Sequence, residues 1–184
     1  MSDLLKCQTC GKLVKIIYPS NGRLACCGQE MKTLGNFQSV AEILDFAIEK
    51  EEEAKRFYLE WADKLDVPNL KEVFQTFARE EQAHKEKLQR VKAGSTFKPA
   101  AKTVTDLKIV DYLVEVTPAP DMDYQEALIV AMRREKASFK FYNDLAGIAS
   151  DENVRNLFVT LAQEEAKHKL RLETEYEKDI FTEN

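Results

Sequence analysis

The chain has few of the residues that usually carry metal or redox chemistry, and it keeps them in two small groups. Its 184 residues include only two histidines, one tryptophan and four cysteines. No stretch approaches the ~18 consecutive apolar residues of a membrane span. No apolar h-region follows Met1 to Lys6, so neither an export signal nor a membrane partner is expected. There is no block of Lys and Arg, and the net charge is −5. That balance excludes the phosphate-tracking surface of a nucleic-acid partner. A soluble, cytoplasmic protein is the expectation, with one substantial core plus a small appendage.

All four cysteines, Cys7, Cys10, Cys26 and Cys27, lie near the N-terminus, and none follows. Clustered cysteines in a chain without an export signal favour metal ligation over disulfides. Residues 1 to about 36 are Gly- and Cys-rich, with alternating Leu13, Lys15 and Ile17. They read as small hairpins around a metal knot.

The rest of the chain reads as helix. Ser39-Val-Ala-Glu42 forms a capping box, so a first helix is predicted from there to about Leu65, stopping at Val67-Pro68. A second is predicted from about Asn69 to Ala93, with Gly94 as its stop. A crossover with Pro99, Pro118 and Pro120 follows, holding one short apolar stretch from Leu107 to Val116. A third helix is predicted from near Asp123, with Glu126 three residues on, to about Gly147–Ser150. A fourth is predicted from about Asp151 to Lys178. Two helical hairpins joined by one long crossover is the ferritin-like plan among four-helix bundles. The expected architecture is therefore mainly α, with residues 1–36 as a metal domain and 37–184 as the bundle.

The two hairpins are copies of each other. Ala47 to Leu88 aligns without a gap on Ala131 to Leu172, pairing Phe57 with Phe141, Tyr58 with Tyr142, Phe74 with Phe158, and Glu80 with Glu164. Both histidines close a Glu-x-x-His motif at the same place in this repeat. Glu51, Glu81 and His84 are matched by Glu135, Glu165 and His168, each pair 84 residues apart.

These residues lie on faces that should be buried. The first helix carries the stripe Val40, Leu44, Ala47, Glu51, Ala54, Tyr58, Trp61, Leu65. The third carries Leu128, Ala131, Glu135, Ser138, Tyr142, Leu145. The second carries Leu70, Phe74, Phe77, Glu81, His84, Leu88, Val91, and the fourth Val154, Phe158, Leu161, Glu165, His168, Leu172. Four buried carboxylates cannot stay ionised together without cations. One inward Glu from each of two helices plus Glu-x-x-His from the other two is the di-iron or di-manganese carboxylate arrangement. Glu81 and Glu165 are expected to bridge two metals. Glu51 and Glu135 would be terminal carboxylates, and His84 and His168 would supply one imidazole each. Tyr58 and Tyr142, two turns from the terminal glutamates, are candidate hydrogen-bond partners for them; a purely structural role fits a buried tyrosine equally well. Glu52, Glu53, Glu80, Glu86 and Glu164 read as a solvated charged face.

Cys7-Gln-Thr-Cys10-Gly11 has the form of a metal knuckle, in which two thiolates face one ion. The adjacent Cys26-Cys27 pair would distort a tetrahedron. Four thiolates leave no open position, so the site would carry single electrons if it held iron and would be structural if it held zinc.

Residues 7 to about 35 resemble a desulforedoxin, or the N-terminal domain of desulfoferrodoxin, through Cys-x-x-Cys-Gly, the vicinal Cys26-Cys27-Gly28 and the trailing Gln29-Glu30-Met31-Lys32. Residues 40 to 178 resemble the rubrerythrin branch of the ferritin-like superfamily through EEEAKRFY, EEQAHKEKL, EKASFKFY and EEAKHKLRL. The resemblance implies one iron on Cys7, Cys10, Cys26 and Cys27, with zinc as the alternative. It implies two irons, oxo-bridged when oxidised, on Glu51, Glu81, His84, Glu135, Glu165 and His168. The implied activity is reduction of hydrogen peroxide, or of O2, with electrons relayed through the thiolate iron. The implied partners are an external donor such as a rubredoxin or an NAD(P)H-linked reductase, and a second copy in a homodimer. Two departures stand out. Rubrerythrins usually carry their thiolate iron in a C-terminal rubredoxin, whereas here it is N-terminal. They also have a further Glu one turn after the third-helix ligand, where this chain has Ser138. The six-ligand set left is closer to the symmetric kind found in bacterioferritins. A ferroxidase or iron-binding protein, and an oxidant sensor, are the competing readings.

Overall fold

The computed structural model describes residues 2–7, 13–16, 25–26, 29–30, 32–37, 39–64, 68–97, 118–119 and 121–182. Among the described residues the chain opens with five short strands, β1 (Ser2–Lys6), β2 (Leu13–Ile16), β3 (Ala25–Cys26), β4 (Gln29–Glu30) and β5 (Lys32–Phe37). β1 is the centre of an antiparallel sheet of order β2-β1-β5, with a register shift between Leu4 and Leu5. β3 and β4 form a separate antiparallel pair, Cys26 opposite Gln29. Cys7 is buried at the end of β1. Cys10 and Cys27, and the side chain of Cys26, lie outside the described residues, as does most of the crossover with Leu107 to Val116.

Four long helices follow: α1 (Val40–Lys64), α2 (Pro68–Lys92), α3 (Tyr124–Ile148) and α4 (Glu152–Thr182). Their ends follow local chemistry. The Ser39 hydroxyl accepts from the Glu42 amide at 3.2 Å. Pro68 opens α2, where its missing N–H costs nothing. Gly94, at φ +94°, closes α2: its amide donates to the Val91 carbonyl and the Ser95 amide to that of Arg90, a Schellman closure. Asp123 and Glu126 form a reciprocal capping box on α3. The Asp151 carboxylate accepts from the Val154 amide at the start of α4. α4 runs one turn beyond the expected Lys178.

α1 packs along α2 and α3 along α4, giving the two hairpins of a ferritin-like bundle. The core divides into two apolar clusters. One gathers Tyr58, Trp61, Leu70, Phe74, Phe77, Leu128, Met132, Leu172 and Tyr176. The other gathers Leu44, Ala47, Leu88, Tyr142, Leu145, Leu157, Phe158 and Leu161. On every helix the chain passes from one cluster to the other through its inward Glu or Glu-x-x-His. The ionisable groups thus form a layer sealed at both ends by aromatic and aliphatic side chains. Each fully buried Leu or Phe of those seals contributes roughly 1.5–3 kcal/mol by leaving water. No described helix is long and apolar enough to cross a membrane.

Candidate metal centre

The repeat brings all six inward groups together. Glu51, Glu81, His84 and Glu165 offer ligand atoms within 4.8 Å of one another, and so do Glu81, Glu135, Glu165 and His168. Glu81 and Glu165 belong to both groups. All six are buried, none more than 8% exposed. His84 Nδ1 lies 3.0 Å from Glu165 Oε1, 3.3 Å from Glu81 Oε2 and 3.6 Å from Glu51 Oε2. His168 Nδ1 lies 3.2 Å from Glu135 Oε2 and 3.7 Å from Glu165 Oε2. The two imidazoles stack nearly parallel, with centroids 5.3 Å apart and planes 5° apart.

The two tyrosines cross over between the hairpins. Tyr58 on α1 donates to Glu135 Oε1 on α3, and Tyr142 on α3 donates to Glu51 Oε1 on α1. Glu51 and Glu135 are each thereby held by the other half of the repeat, with the second oxygen left to face the shared space. Tyr58 is wholly buried, and burial together with the charges of Glu135 and Glu81 pushes its phenol well above the ordinary value. It remains a donor at all physiological pH.

The electrostatics are those of a site built for cations. Burial pushes Glu51 well up, reinforced by the Glu81 charge. Burial and the charges of Glu81 and Glu135 do the same to Glu165. Burial works against Glu81 too, but the neighbouring His84 imidazole and Glu51 carboxyl bring it down. Burial would lower both imidazoles; the carboxylates facing them, Glu165 and Glu164 for His84 and Glu135 for His168, raise them instead. Glu51 Oε2, both Glu165 carboxylate oxygens and His84 Nδ1 are buried without a hydrogen bond. Orphaned oxygens and one orphaned nitrogen aimed at a common space are what divalent iron or manganese would satisfy. The residues fit a di-iron site.

One sequence expectation needs correction. Glu80 and Glu164 do not belong to a solvated face. Glu164 on α4 reaches across to α2, where its Oε2 sits 3.1 Å from His84 Nε2. Glu80 on α2 reaches back to α4, where its Oε2 sits 3.4 Å from His168 Nε2. Lys87 Nζ donates to Glu164 Oε1 at 2.6 Å, and Arg171 Nη1 lies 3.9 Å from Glu80 Oε1. Lys87 and Arg171 are also repeat partners. The two imidazole–carboxylate pairings and their cations cannot be read from one helix, because they form only between α2 and α4. The identity of Glu80 and Glu164 in the repeat is the one signal of them that the sequence carries. Glu52 pairs instead with Lys85 and Lys55, which hold it down at about 2.

Comparison with known proteins agrees with this geometry. The pattern of the Rubrerythrin family matches residues 42–176. That of the desulfoferrodoxin N-terminal domain matches residues 1–34. Desulforedoxin from Megalodesulfovibrio gigas is 45% identical over 29 residues, which span 16% of this chain and 78% of that protein. Two solved structures share the bundle. One is an uncharacterised conserved protein from Magnetospirillum magnetotacticum, at TM-score 0.55 and 26% identity over 76% of this chain and 95% of that one. The other is a hypothetical protein from Pyrococcus furiosus, at TM-score 0.52 and 26% identity over 76% of this chain and 89% of that one.

Proposed function

Because the chain belongs to the rubrerythrin family and carries a desulforedoxin-like segment at its N-terminus, we propose that it reduces hydrogen peroxide to water at a di-iron site. The observation that carries this reading is the pair of four-residue ligand groups sharing Glu81 and Glu165. Glu81 and Glu165 would serve both irons, with Glu51 and His84 holding one and Glu135 and His168 holding the other. Residues 37–184 are then the reacting unit. Residues 1–36, with Cys7, Cys10, Cys26 and Cys27, would hold an iron able to carry single electrons from an external reductase. The protein works in the cytoplasm as a homodimer.

Iron supplies Lewis-acid polarisation and reducing equivalents when bound. The protein supplies the rest. The two apolar clusters keep bulk water from the layer, so charges within it act at full strength. Tyr58 and Tyr142 hold the terminal carboxylates by one oxygen each. Cleavage of the O–O bond consumes two electrons and two protons and yields two waters. The Tyr58 and Tyr142 hydroxyls keep their protons, as hydrogen-bond donors to Glu135 and Glu51.

The test is anaerobic. Reduced, iron-loaded protein is mixed with one equivalent of hydrogen peroxide, and both iron chromophores are followed. Oxidation within seconds is expected; reduced centres that survive for minutes would sink the peroxidase reading. Ser138, half-buried one turn from Glu135, supports a second reading, in which the symmetric six-ligand set oxidises iron for storage. Storage needs a hollow multi-subunit shell, so a dimer on sizing would remove it.

A further inference from the structure

Outside the six inward groups, a pair of polar chains runs from the imidazoles to the surface. Lys87–Glu164–His84 and Arg171–Glu80–His168 are the same device built twice, with donor and acceptor helices exchanged. In each Glu-Glu-x-x-His motif the second Glu points into the metal layer. The first, rotated by one residue's ~100° turn, points at the neighbouring helix. There it meets the Nε2 of the other motif's histidine. An imidazole whose Nε2–H is committed to a carboxylate presents Nδ1 as its lone pair. In both histidines Nδ1 is the nitrogen that faces the shared carboxylates.

The two copies are not equal. Glu164 is 23% exposed, gripped by Lys87 at 2.6 Å, and approaches its imidazole to 3.1 Å. Glu80 is 36% exposed, its Oε2 stands 3.4 Å from its imidazole without a hydrogen bond, and its cation stands at 3.9 Å. Arg171 is itself 54% exposed and lies over the Phe77 ring, so its hold on Glu80 is shared with solvent. The His84 end also has the denser first ring of carboxylates, three within 3.6 Å of Nδ1 against two within 3.7 Å for His168. A ligand already held in its binding orientation loses less freedom when it binds.

We propose that Glu164 and Glu80 are positioning residues that fix the imidazoles with Nδ1 toward the metals, and that the tighter Lys87–Glu164 clamp makes the His84 position the higher-affinity member of the pair. The inference rests on the two-metal reading of the site and gives it an order: the His84 position fills first and empties last. That order matters for a redox pair, because the position that fills last is the one that exchanges iron with solution.

The experiment uses the full chain, freed of metal and titrated anaerobically with Co(II). The thiolate centre is followed by its charge-transfer band, and the bundle by calorimetry and its weaker visible bands. Two bundle steps of unequal affinity are expected. Glu164→Gln should weaken the tighter step by about 10–100-fold and leave the looser one in place. Glu80→Gln should do the reverse. Lys87→Met, which keeps both carboxylates, should weaken the tighter step alone and serves if a Gln variant fails to fold. In the Zn(II)-loaded wild type, 15N spectra should show Nδ1 bound to metal and a strongly hydrogen-bonded Nε2–H, and Glu164→Gln should shift that proton for His84 only. Variants that weaken both steps alike, or neither, overturn the inference. A wild-type chain that takes up only its thiolate-bound ion overturns instead the two-metal reading beneath it.

Discussion

The Tyr58 hydroxyl on α1 donates a hydrogen bond to Glu135 Oε1 on α3, joining the two copies of the repeat across the bundle. Its counterpart, Tyr142 to Glu51, closes the pair. Neither phenol is exposed beyond 1%, so each is a buried donor to a buried carboxylate. Hydrogen bonds to charged groups contribute about 1.5–3 kcal/mol. Tyr58→Phe and Tyr142→Phe are each expected to lower the unfolding free energy by that amount and to slow peroxide turnover by about tenfold. Urea unfolding beside steady-state rates checks this. A Phe variant with unchanged stability and rate would show that the contacts are idle.

Glu165 and Glu51 differ in how many groups they serve. Glu165 sits in both ligand clusters and Glu51 in one. Glu165→Ala should therefore empty both metal positions, while Glu51→Ala should empty one and leave the other. Iron per folded chain after anaerobic loading is the measurement. Equal losses from the two variants would contradict the shared role.

The metal-free bundle should respond to pH with two arms of opposite sign. Glu51 and Glu165 hold protons more tightly when folded than their ordinary value of 4.5 allows, chiefly through burial. His84 and His168 also rise above 6.5. These four contributions are complete below the ordinary values and disappear as pH climbs through the raised ones. Glu164, held at about 2 by His84 and Lys87 against the pull of burial, acts the other way. Its contribution is present above 4.5 and lost as pH falls toward 2. The expected Tm of the metal-free protein peaks in mildly acidic solution and declines toward alkaline pH. Metal loading replaces protons with cations and should flatten the alkaline arm. Calorimetry across the range with and without metal decides it, and parallel profiles would count against a site that exchanges protons for metal.

Cys7→Ser should abolish the thiolate-to-iron absorption and leave the bundle iron content unchanged. Single-turnover reaction with peroxide should then survive, while multiple turnover from an external reductase should fail. Loss of bundle iron in this variant would tie the two centres together structurally rather than by electron flow.

Much of the bundle and its inward carboxylates and imidazoles is legible in the sequence. The stripes through Glu51, Glu81, Glu135 and Glu165 are periodic, and periodicity is a local property of each helix. Helix ends at Ser39, Gly94 and Asp123 are legible for the same reason, since capping depends on a few neighbouring residues. The terminal turn of α4 is not, because no stop residue marks it. Glu80 and Glu164 read as solvated in the sequence because a charged residue one step from a ligand faces water on an isolated helix. Only the closeness of α2 to α4 turns it onto an imidazole.

The sequence by itself determined which ionisable residues enter the core, since two histidines and four inward carboxylates fall in register over an 84-residue offset. Tertiary structure alone decided how they pair. Antiparallel packing carries each tyrosine to the other hairpin's carboxylate and each outer glutamate to the other helix's imidazole. It also made the Lys87 clamp close and the Arg171 clamp loose. Such contacts span 77 to 91 residues of chain, and side-chain spacing along one helix carries no information about them.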